Sequence, residues 1–586
     1  MYVLGIHDGH NASAVLLKDG RIVAGVQDER PRGLKNALGM PRAAIRDVLA
    51  QAHLTPADVD RIALVGLHSG EYLSLDESIK PSEQIVKWHQ ASYERSSINW
   101  KKAVRRLIPD AVYESLRGDR VRERRRAVVA SLGFDPSRIR LVEHHTAHAA
   151  STYYGWGRLK EPILILTNDG MGDNISATVS IGQDGRFERL ASVPDTDSVA
   201  EIYALTTFLM GMVPLEHEYK LMGMAPYASP GQASQVSAAL AKLIEFDQQR
   251  GLTWHRRAGV PALSAAHRYL EKLYSRRRFD YVCGGLQKFV EEFLVQWVRN
   301  AIRHTGVRKV ALSGGIFMNV KANKLILEMP EVEDLFVFPS CGDETNAVGA
   351  AYWVYADECR KSGRPVDIEP LRDLYWGRSF TDDEIERAVT SFKFANKVRV
   401  ETPPDIEQRV AELLAGGHVV ARSRGRMEFG ARALGNRSIL ANPADSRVIK
   451  TINDMIKQRD FWMPFAPSAT VERIHDYVQK PKNIPAPYMI LTFDSVAKKV
   501  PVFSAAIHPY DGTARPQEVS ERDNPRYHRL IQYYGDITGE EIILNTSFNL
   551  HGSPIAYTPE QALFTLDNSG LEHLAIGSFL VSKTGS

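Results

Sequence analysis

Cysteine is scarce in this sequence: Cys283, Cys341 and Cys359 are the only three in 586 residues. An odd number with no close pair argues against a disulfide framework and fits a reducing, cytoplasmic setting. An excess of one charge is also missing, since 73 Lys and Arg against 70 Asp and Glu leave a net charge of +3. Bulk charge therefore offers no footing for nucleic acid. No run of about 18 apolar residues occurs, and Met1 to Asp8 lacks a basic leader and is broken by Gly5 and His7. Neither a membrane span nor a secretory signal is expected. With 44% hydrophobic and 24% charged residues, the composition is that of a folded globular protein. At roughly 100 to 200 residues per domain, the length requires at least two domains.

What is present is a repeat. Residues 2 to 27 read as strand Tyr2 to Ile6, a polar loop Asp8-Gly9-His10-Asn11, strand Ser13 to Leu17, turn Lys18-Asp19-Gly20, and strand Ile22 to Val26. Residues 162 to 193 repeat the plan: strand Ile163 to Thr167, loop Asp169-Gly170-Met171-Gly172-Asp173, strand Ser176 to Ile181, turn Gln183-Asp184-Gly185, strand Phe187 to Val193. Two such units predict a duplicated α/β domain of the actin and sugar-kinase type, with Asp169, Gly170 and Gly172 facing a nucleotide cleft where backbone N–H groups approach phosphate. A third loop, Ser313-Gly314-Gly315 with Asn319 beyond it, follows the apolar Val310-Ala311-Leu312 and leads into a helix. It is a candidate nucleotide cradle. Residues 101 to 126 carry ten Lys or Arg against four acids, read as a solvated helical face or as an attractor for an anionic substrate or partner.

His144 and His148 are four apart, which on a helix puts both imidazoles on one face at metal-ligand spacing, with His145 pointing elsewhere. Asp343, after the strand-like Leu335 to Phe338, is a candidate third ligand. Two His and one carboxylate suit Fe(II) or another divalent ion and leave positions open for a substrate oxygen. His10 would share the cleft of the duplicated fold and is a candidate general base. His7, at a strand end, reads as a packed histidine.

Proline-containing sequence from Asp357 to Asp367 and at Pro403-Pro404 marks a change of domain. The expected division is 1–365, a connecting segment 366–400, and 401–586. After Val419-Val420-Ala421, the stretch from Arg422 to Ser438 packs five arginines among three glycines, a composition suited to collecting oxyanions. Asn453 to Arg459, Asp511 to Gln517 and Ile542 to Asn549 add Lys, Arg, Gln, Asn and Ser groups. Such a set suits a triphosphate and a small planar carbonyl compound.

These motifs together resemble the O-carbamoyltransferase family that includes the tobramycin, cephem and nodulation-factor carbamoyltransferases, over nearly the whole chain. The resemblance rests on Gly425-Arg426-Met427-Glu428-Phe429-Gly430, Arg432-Ala433-Leu434-Gly435-Asn436-Arg437-Ser438, Asp511 to Gln517, Asn545 to Asn549, and Tyr219 to Tyr227. It implies a metal-binding actin-like domain, similar to the tRNA threonylcarbamoyl-transfer subunit, followed by a YrdC-like α/β domain. Carried over, His144, His148 and Asp343 are the metal ligands and His10 lies in the acceptor site. Arg432, Lys457, Arg515 and Ser547 fall where the family binds carbamoyl phosphate and ATP, with Asn545 beside them. Ala431 replaces a frequent proline, and Met463 stands where several relatives carry an arginine.

The resemblance implies two half-reactions. Carbamoyl phosphate and ATP, with Mg2+ accompanying the nucleotide, yield carbamoyl adenylate and pyrophosphate in the second domain, with Arg432 and Lys457 catalytic. The carbamoyl group then passes to a hydroxyl of a small molecule at the metal site, as in antibiotic and other natural-product biosynthesis, and AMP leaves. The alternative is a fused tRNA threonylcarbamoyladenosine synthase, which the basic stretch keeps open and the low net charge opposes. A catalytically dead paralogue and a plain sugar kinase fit the motifs less well. The acceptor, the metal's identity and homo-oligomerisation stay open at this stage.

Overall fold

The fold is that of a computed structural model, which describes residues 1–68, 79–94, 110–457 and 460–584; the side chains of 110–118, 455 and 457 lie outside that description. The chain divides into two units, Met1–Asp28 with Asn36–Leu371, and Glu29–Lys35 with Arg372–Ser586.

Unit 1 contains two sheets of the same topology. In the first, β1 (Tyr2–His7), β2 (Ser13–Lys18) and β3 (Arg21–Gln27) form an antiparallel meander, and β4 (Arg61–Val65) and β5 (Ile139–Val142) extend it in parallel beyond β1. In the second, β6 (Ile163–Gly172), β7 (Ile175–Gln183) and β8 (Arg186–Pro194) form the meander; β9 (Ile244–Phe246) and β10 (Trp254–Arg256) pair apart, and β11 (Lys309–Ser313) and β12 (Asp334–Val337) extend the sheet in parallel. The orders β3-β2-β1-β4-β5 and β8-β7-β6-β11-β12 coincide. This is the duplicated actin-like plan expected from the sequence. The turn chemistry explains why it is visible there: Asp19 and Gly20 (φ 49° and 80°) and Asp184 and Gly185 (φ 51° and 71°) supply the left-handed pair that a tight hairpin needs.

One expectation is corrected. Asp169 to Gly172 is not an open glycine loop but the end of β6, with a register shift against β7 between Asn168 and Gly172, so the chain turns at Asp173 and Asn174. A second concerns the basic stretch. Lys101, Lys102, Arg105 and Arg106 lie outside the described residues, but Arg125 near the end of the Asp110–Ala130 helix is buried, not solvated.

The His144–Trp156 helix packs on β6 and β11, and the Asn346–Lys361 helix on β1, β2 and β4. The helices also meet each other at Gly349, where a Cβ would lie 1.8 Å from the carbonyl oxygen of Ala147. That close approach brings the start of one helix beside the start of the other.

Unit 2 is an α/β domain on one mixed sheet, in the order β13-β23-β22-β14-β15-β21-β16-β20. Its strands are β13 (Val398–Glu401), β14 (Val420–Ser423), β15 (Arg437–Ala441), β16 (Ala466–Thr470), β20 (Gln517–Val519), β21 (Ile542–Ser547), β22 (His573–Ile576) and β23 (Phe579–Lys583), with β17 (Val478–Gln479), β18 (Phe493–Ser495) and β19 (Thr513–Ala514) in a small sheet of their own. Alternation along the strands gives two apolar faces. Ala421, Ile439, Leu544, Leu574 and Ile576 pack with residues of the Asp382–Ser391 and Pro559–Asp567 helices, while Val420, Leu440, Ile543 and Ala575 pack with those of the Ile406–Ala415 and Pro525–Thr538 helices. Much of the supposed connecting segment is part of this fold: Ile385 and Ala388 sit in the first core, with Phe380, Phe392 and Phe394 against it. No described helix is long and apolar enough to cross a membrane.

Candidate active site

The first turn of the His144–Trp156 helix is fixed by Glu143, whose carboxylate accepts from the backbone N–H of His145 and Thr146 and pairs with Arg189. Despite its burial, Arg189 and the neighbouring donors hold Glu143 down to about 2. His144 and His148 then face one way and His145 another. His145 is bonded through Nδ1 to the Thr167 hydroxyl and through Nε2 to the carbonyl of Ile175, and burial beside two imidazoles pushes it down to about 3.

Four side chains of unit 1 converge. Nε2 of His144 and of His148 are 3.2 Å apart; Asp169 Oδ2 lies 3.2 and 3.7 Å from them, and Asp343 Oδ1 3.4 and 3.5 Å. Each partner's orientation has a cause. Asp169 Oδ1 accepts from the Gly315 N–H at 2.9 Å, which aims Oδ2 at the imidazoles, and His148 Nδ1 is 3.2 Å from the Ser313 hydroxyl. Asp343 opens the short helical turn that leads into the Asn346–Lys361 helix, and the Asn346 amide lies 3.1 Å from His148 Nε2.

The donor set fits a divalent ion. Two ligands on bonds of about 2.1 Å at 90° to 110° are separated by roughly 3.0 to 3.4 Å; the five edges that involve an imidazole run from 3.2 to 3.7 Å, and all four donor atoms lie within 4.8 Å of one another. Without an ion the electrostatics are those of two imidazoles clamped between carboxylates. Burial opposes charge at His144, but Asp343, Asp169 and Asp173 outweigh it and push it up to about 9. His148 is also raised, and Asp169 is held well below the usual carboxylate range. Next to Asp169, buried Glu201 is pushed up to about 7 by burial, Asp169 and Glu218.

The Asp8 loop lies at the edge of this cluster. His7 Nε2 is 3.0 Å from the carbonyl of His10 and 3.8 Å from Asp343 Oδ2, and burial pushes His7 down to about 4. His10 is itself buried. Asp8, the counterpart of Asp169 in the repeat, is engaged in a bidentate pair with Arg125 at 2.6 and 2.9 Å. The candidate cradle residues are largely committed within the fold. Gly314 (φ 107°) lies against the Asn168 backbone, and Asn319 caps the Val320–Glu328 helix while bonding Gln287 at 2.9 Å.

In unit 2 the arginine-rich stretch does several jobs. Arg422 and Arg424 share Glu407 at 3.5 and 2.9 Å, and Arg426 bonds the carbonyls of Trp376 and Gly377, so these three hold the fold. Arg432 is half-buried on the loop between β14 and β15. Glu428 organises that loop, its Oε1 accepting from the N–H of Leu434, Asn436 and Arg437 at 2.8, 3.0 and 3.0 Å. Gln517 donates to the Leu434 carbonyl at 2.8 Å and Asn545 to that of Ala433 at 3.2 Å. The loop carrying Arg432 is thereby tied to β20, just after half-buried Arg515, and to β21, which ends at Ser547. Asn545 is 1% exposed and braces the loop. The Lys457 side chain lies outside the described residues, and Met463 is buried.

Comparison with known proteins follows the same division. Residues 2–352 match the family described as carbamoyltransferase N-terminus and residues 411–583 the carbamoyltransferase C-terminus. This chain belongs to the carbamoyltransferase family. Nodulation protein NolNO of Sinorhizobium fredii is 30% identical over 98% of this chain and 79% of its own length. Nodulation protein NolO of Bradyrhizobium diazoefficiens is 32% identical over 75% of this chain and 79% of its own. The 3'-hydroxymethylcephem-O-carbamoyltransferase of Amycolatopsis lactamdurans is 30% identical over 45% of this chain and 47% of its own. Among solved structures, component A of the Acidaminococcus fermentans (R)-2-hydroxyglutaryl-CoA dehydratase matches 62% of this chain and all of its own at 13% identity with a TM-score of 0.30, too slight a likeness to bear on function.

In this carbamoyltransferase, sequence reasoning brings His144, His148 and Asp343 together but places Asp169 in a nucleotide loop. The available signal was the repeat: Asp169 stands near the end of the first strand of its meander where Asp8 stands just beyond β1, near the histidines of the intervening helix. Glu428 had no such signal, because its partners are backbone N–H groups.

Proposed function

We propose that this carbamoyltransferase forms carbamoyl adenylate in unit 2 and transfers its carbamoyl group to a hydroxyl of a small natural product at the four-donor cluster of unit 1. The observation that carries this reading is the convergence of His144, His148, Asp169 and Asp343 at metal-ligand edges in a chain matched at both ends by carbamoyltransferase families. The O-carbamoyltransferase among its relatives supports a hydroxyl acceptor.

Carbamoyl phosphate and ATP bind to Arg432, Lys457, Arg515 and Ser547, whose charges and hydroxyl offset the phosphate oxygens. Water cleaves carbamoyl phosphate to carbamate and phosphate, and a carbamate oxygen then bonds to the α-phosphorus of ATP as the bond from that phosphorus to the departing pyrophosphate breaks. The acceptor oxygen then forms a bond to the carbamoyl carbon, the bond from that carbon to the adenylate oxygen breaks, and AMP leaves. His10 takes the hydroxyl proton. His144, His148, Asp169 and Asp343 would hold the divalent ion, Fe(II) among those the set suits, which would supply Lewis-acid polarisation of the adenylate when bound. The starts of the His144–Trp156 and Asn346–Lys361 helices beside the cluster favour an anionic group there.

The test is release of pyrophosphate and AMP from ATP and carbamoyl phosphate, with and without a panel of hydroxylated natural products. The reading expects both ATP and carbamoyl phosphate to be required and AMP release to rise with a true acceptor. Carbamoylation that proceeds without ATP would overturn it.

A further inference from the structure

Unit 2 has a pocket of about 270 Å3 whose wall includes Asp382, Ser423, Arg424, Arg437, Arg526 and Pro559. Strand alternation puts Arg437 and Ser423 on the sheet face that carries Ile439 and Ala421, opposite to the face of Asn545 and Ser547. The pocket is therefore separate from the residues expected to bind carbamoyl phosphate.

Arg437 gives the pocket its character. It is 2% exposed, and among the described residues its side chain bonds only from Nη1 to the carbonyls of Arg424, Gly425 and Asn436; its Nε and Nη2 have no partner there, and no described carboxylate lies within ion-pair distance. A buried guanidinium is normally paired. Arg526 on the same wall is exposed and makes no hydrogen bond or ion pair with the described residues. Arg424 is already matched by Glu407, which it shares with Arg422. Both oxygens of Asp382 are engaged by Ser578, at 3.2 and 2.7 Å. The guanidiniums of Arg424, Arg437 and Arg526 thus share the pocket wall with one carboxylate, Asp382, while from outside it Glu407 matches Arg424 and the charge of Glu428 reaches Arg437.

A second observation points the same way. Asp382 and Pro559 are the first residues of their helices and Arg526 the second of its own, so three helices begin on the pocket wall. The positive ends of their dipoles add to the guanidiniums. The volume lies just below the range of ligand pockets, about 300 to 1,000 Å3, too small for a nucleotide and many times the share of one water, about 30 Å3. Phe380, Ile385, Pro559 and Ile576 give it an apolar side.

We infer that this pocket binds a small phosphate anion, held by Arg437 and Arg526, as a site distinct from the one that binds carbamoyl phosphate. The ligand chemistry is shared by inorganic phosphate, pyrophosphate and the phosphate end of a small ester. Binding of labelled phosphate, pyrophosphate and phenyl phosphate to the full chain by equilibrium dialysis separates these sources, because only the ester gains from the apolar side.

The expected isotherm contains a component that Arg526→Gln weakens about tenfold or more, that Arg526→Lys retains to within a few-fold, and that Arg432→Gln leaves unchanged. Arg526 is exposed and bonds none of the described residues, so its variants fold, which circular dichroism checks. An Arg526→Gln isotherm that superimposes on the parent overturns the proposal for all three probes. A component lost equally in Arg526→Gln and Arg432→Gln overturns the claim of a separate site.

Discussion

Gly172 is the most direct handle on the cluster in unit 1, because it touches no donor atom and yet sets where one of them lies. A Cβ at this position would fall 2.1 Å from Cγ and 2.2 Å from Cδ2 of the His144 ring, whereas carbon atoms in contact are about 3.5 to 4.0 Å apart. Gly172→Ala must therefore displace the imidazole by more than about 1 Å, against a tolerance of about 0.2 Å in ligand distances. We expect divalent-ion affinity to fall by at least tenfold and up to about a hundredfold, with overpacking costing about 1 to 3 kcal/mol of stability. The assay is competitive titration of the metal-depleted chain with Fe(II), or with Co(II) as a spectroscopic probe, against a chelator. Gly170→Ala is the control, since its Cβ meets only the movable Glu201 carboxylate at 3.0 Å. Parent-like affinity in Gly172→Ala would refute the claim that His144 is a ligand.

Two further outcomes follow from the same geometry. Glu428→Gln turns three charge-assisted bonds from Leu434, Asn436 and Arg437 into neutral ones, a loss of about 2 kcal/mol; hydrogen exchange at those amides should accelerate and pyrophosphate release fall at least tenfold, and unchanged protection would contradict the bracing role. In the metal-free chain His144 is raised to about 9 from 6.5, so its contribution to stability is full below about pH 6.5 and is lost as pH rises through about 9. Because that proton must leave before the nitrogen can ligate, ion affinity should rise over the same window. Urea denaturation and metal titration between pH 6 and 10 check both directions.

The legible parts of this chain are local. The paired Asp-Gly turns announce two meanders because their left-handed backbone admits few other residues, and the four-residue spacing of His144 and His148 needs only a helix. What escapes the sequence depends on contacts far apart in the chain. Asp169 is aimed by the N–H of Gly315, and its counterpart Asp8 is taken up by Arg125 from the basic helix. Nothing in the spacing says which aspartate of the repeat will be free to serve the cluster. Likewise the run of five arginines reads as a single oxyanion collector, but burial sorts it: Glu407 and backbone carbonyls claim Arg422, Arg424 and Arg426, and Arg437 turns to the other face of the sheet. The excursion of Glu29–Lys35 into unit 2 is also invisible locally, since it rests on bonds such as Arg30 Nη2 to the Gly430 carbonyl at 2.7 Å.

The division of labour between the two units is tested most directly by comparing Lys457→Ala with His148→Ala in one assay, with carbamoyl phosphate, ATP and a confirmed acceptor. The account predicts that Lys457→Ala abolishes pyrophosphate release, whereas His148→Ala still releases pyrophosphate but yields no carbamoylated product. Equal loss of pyrophosphate release in both variants would contradict it.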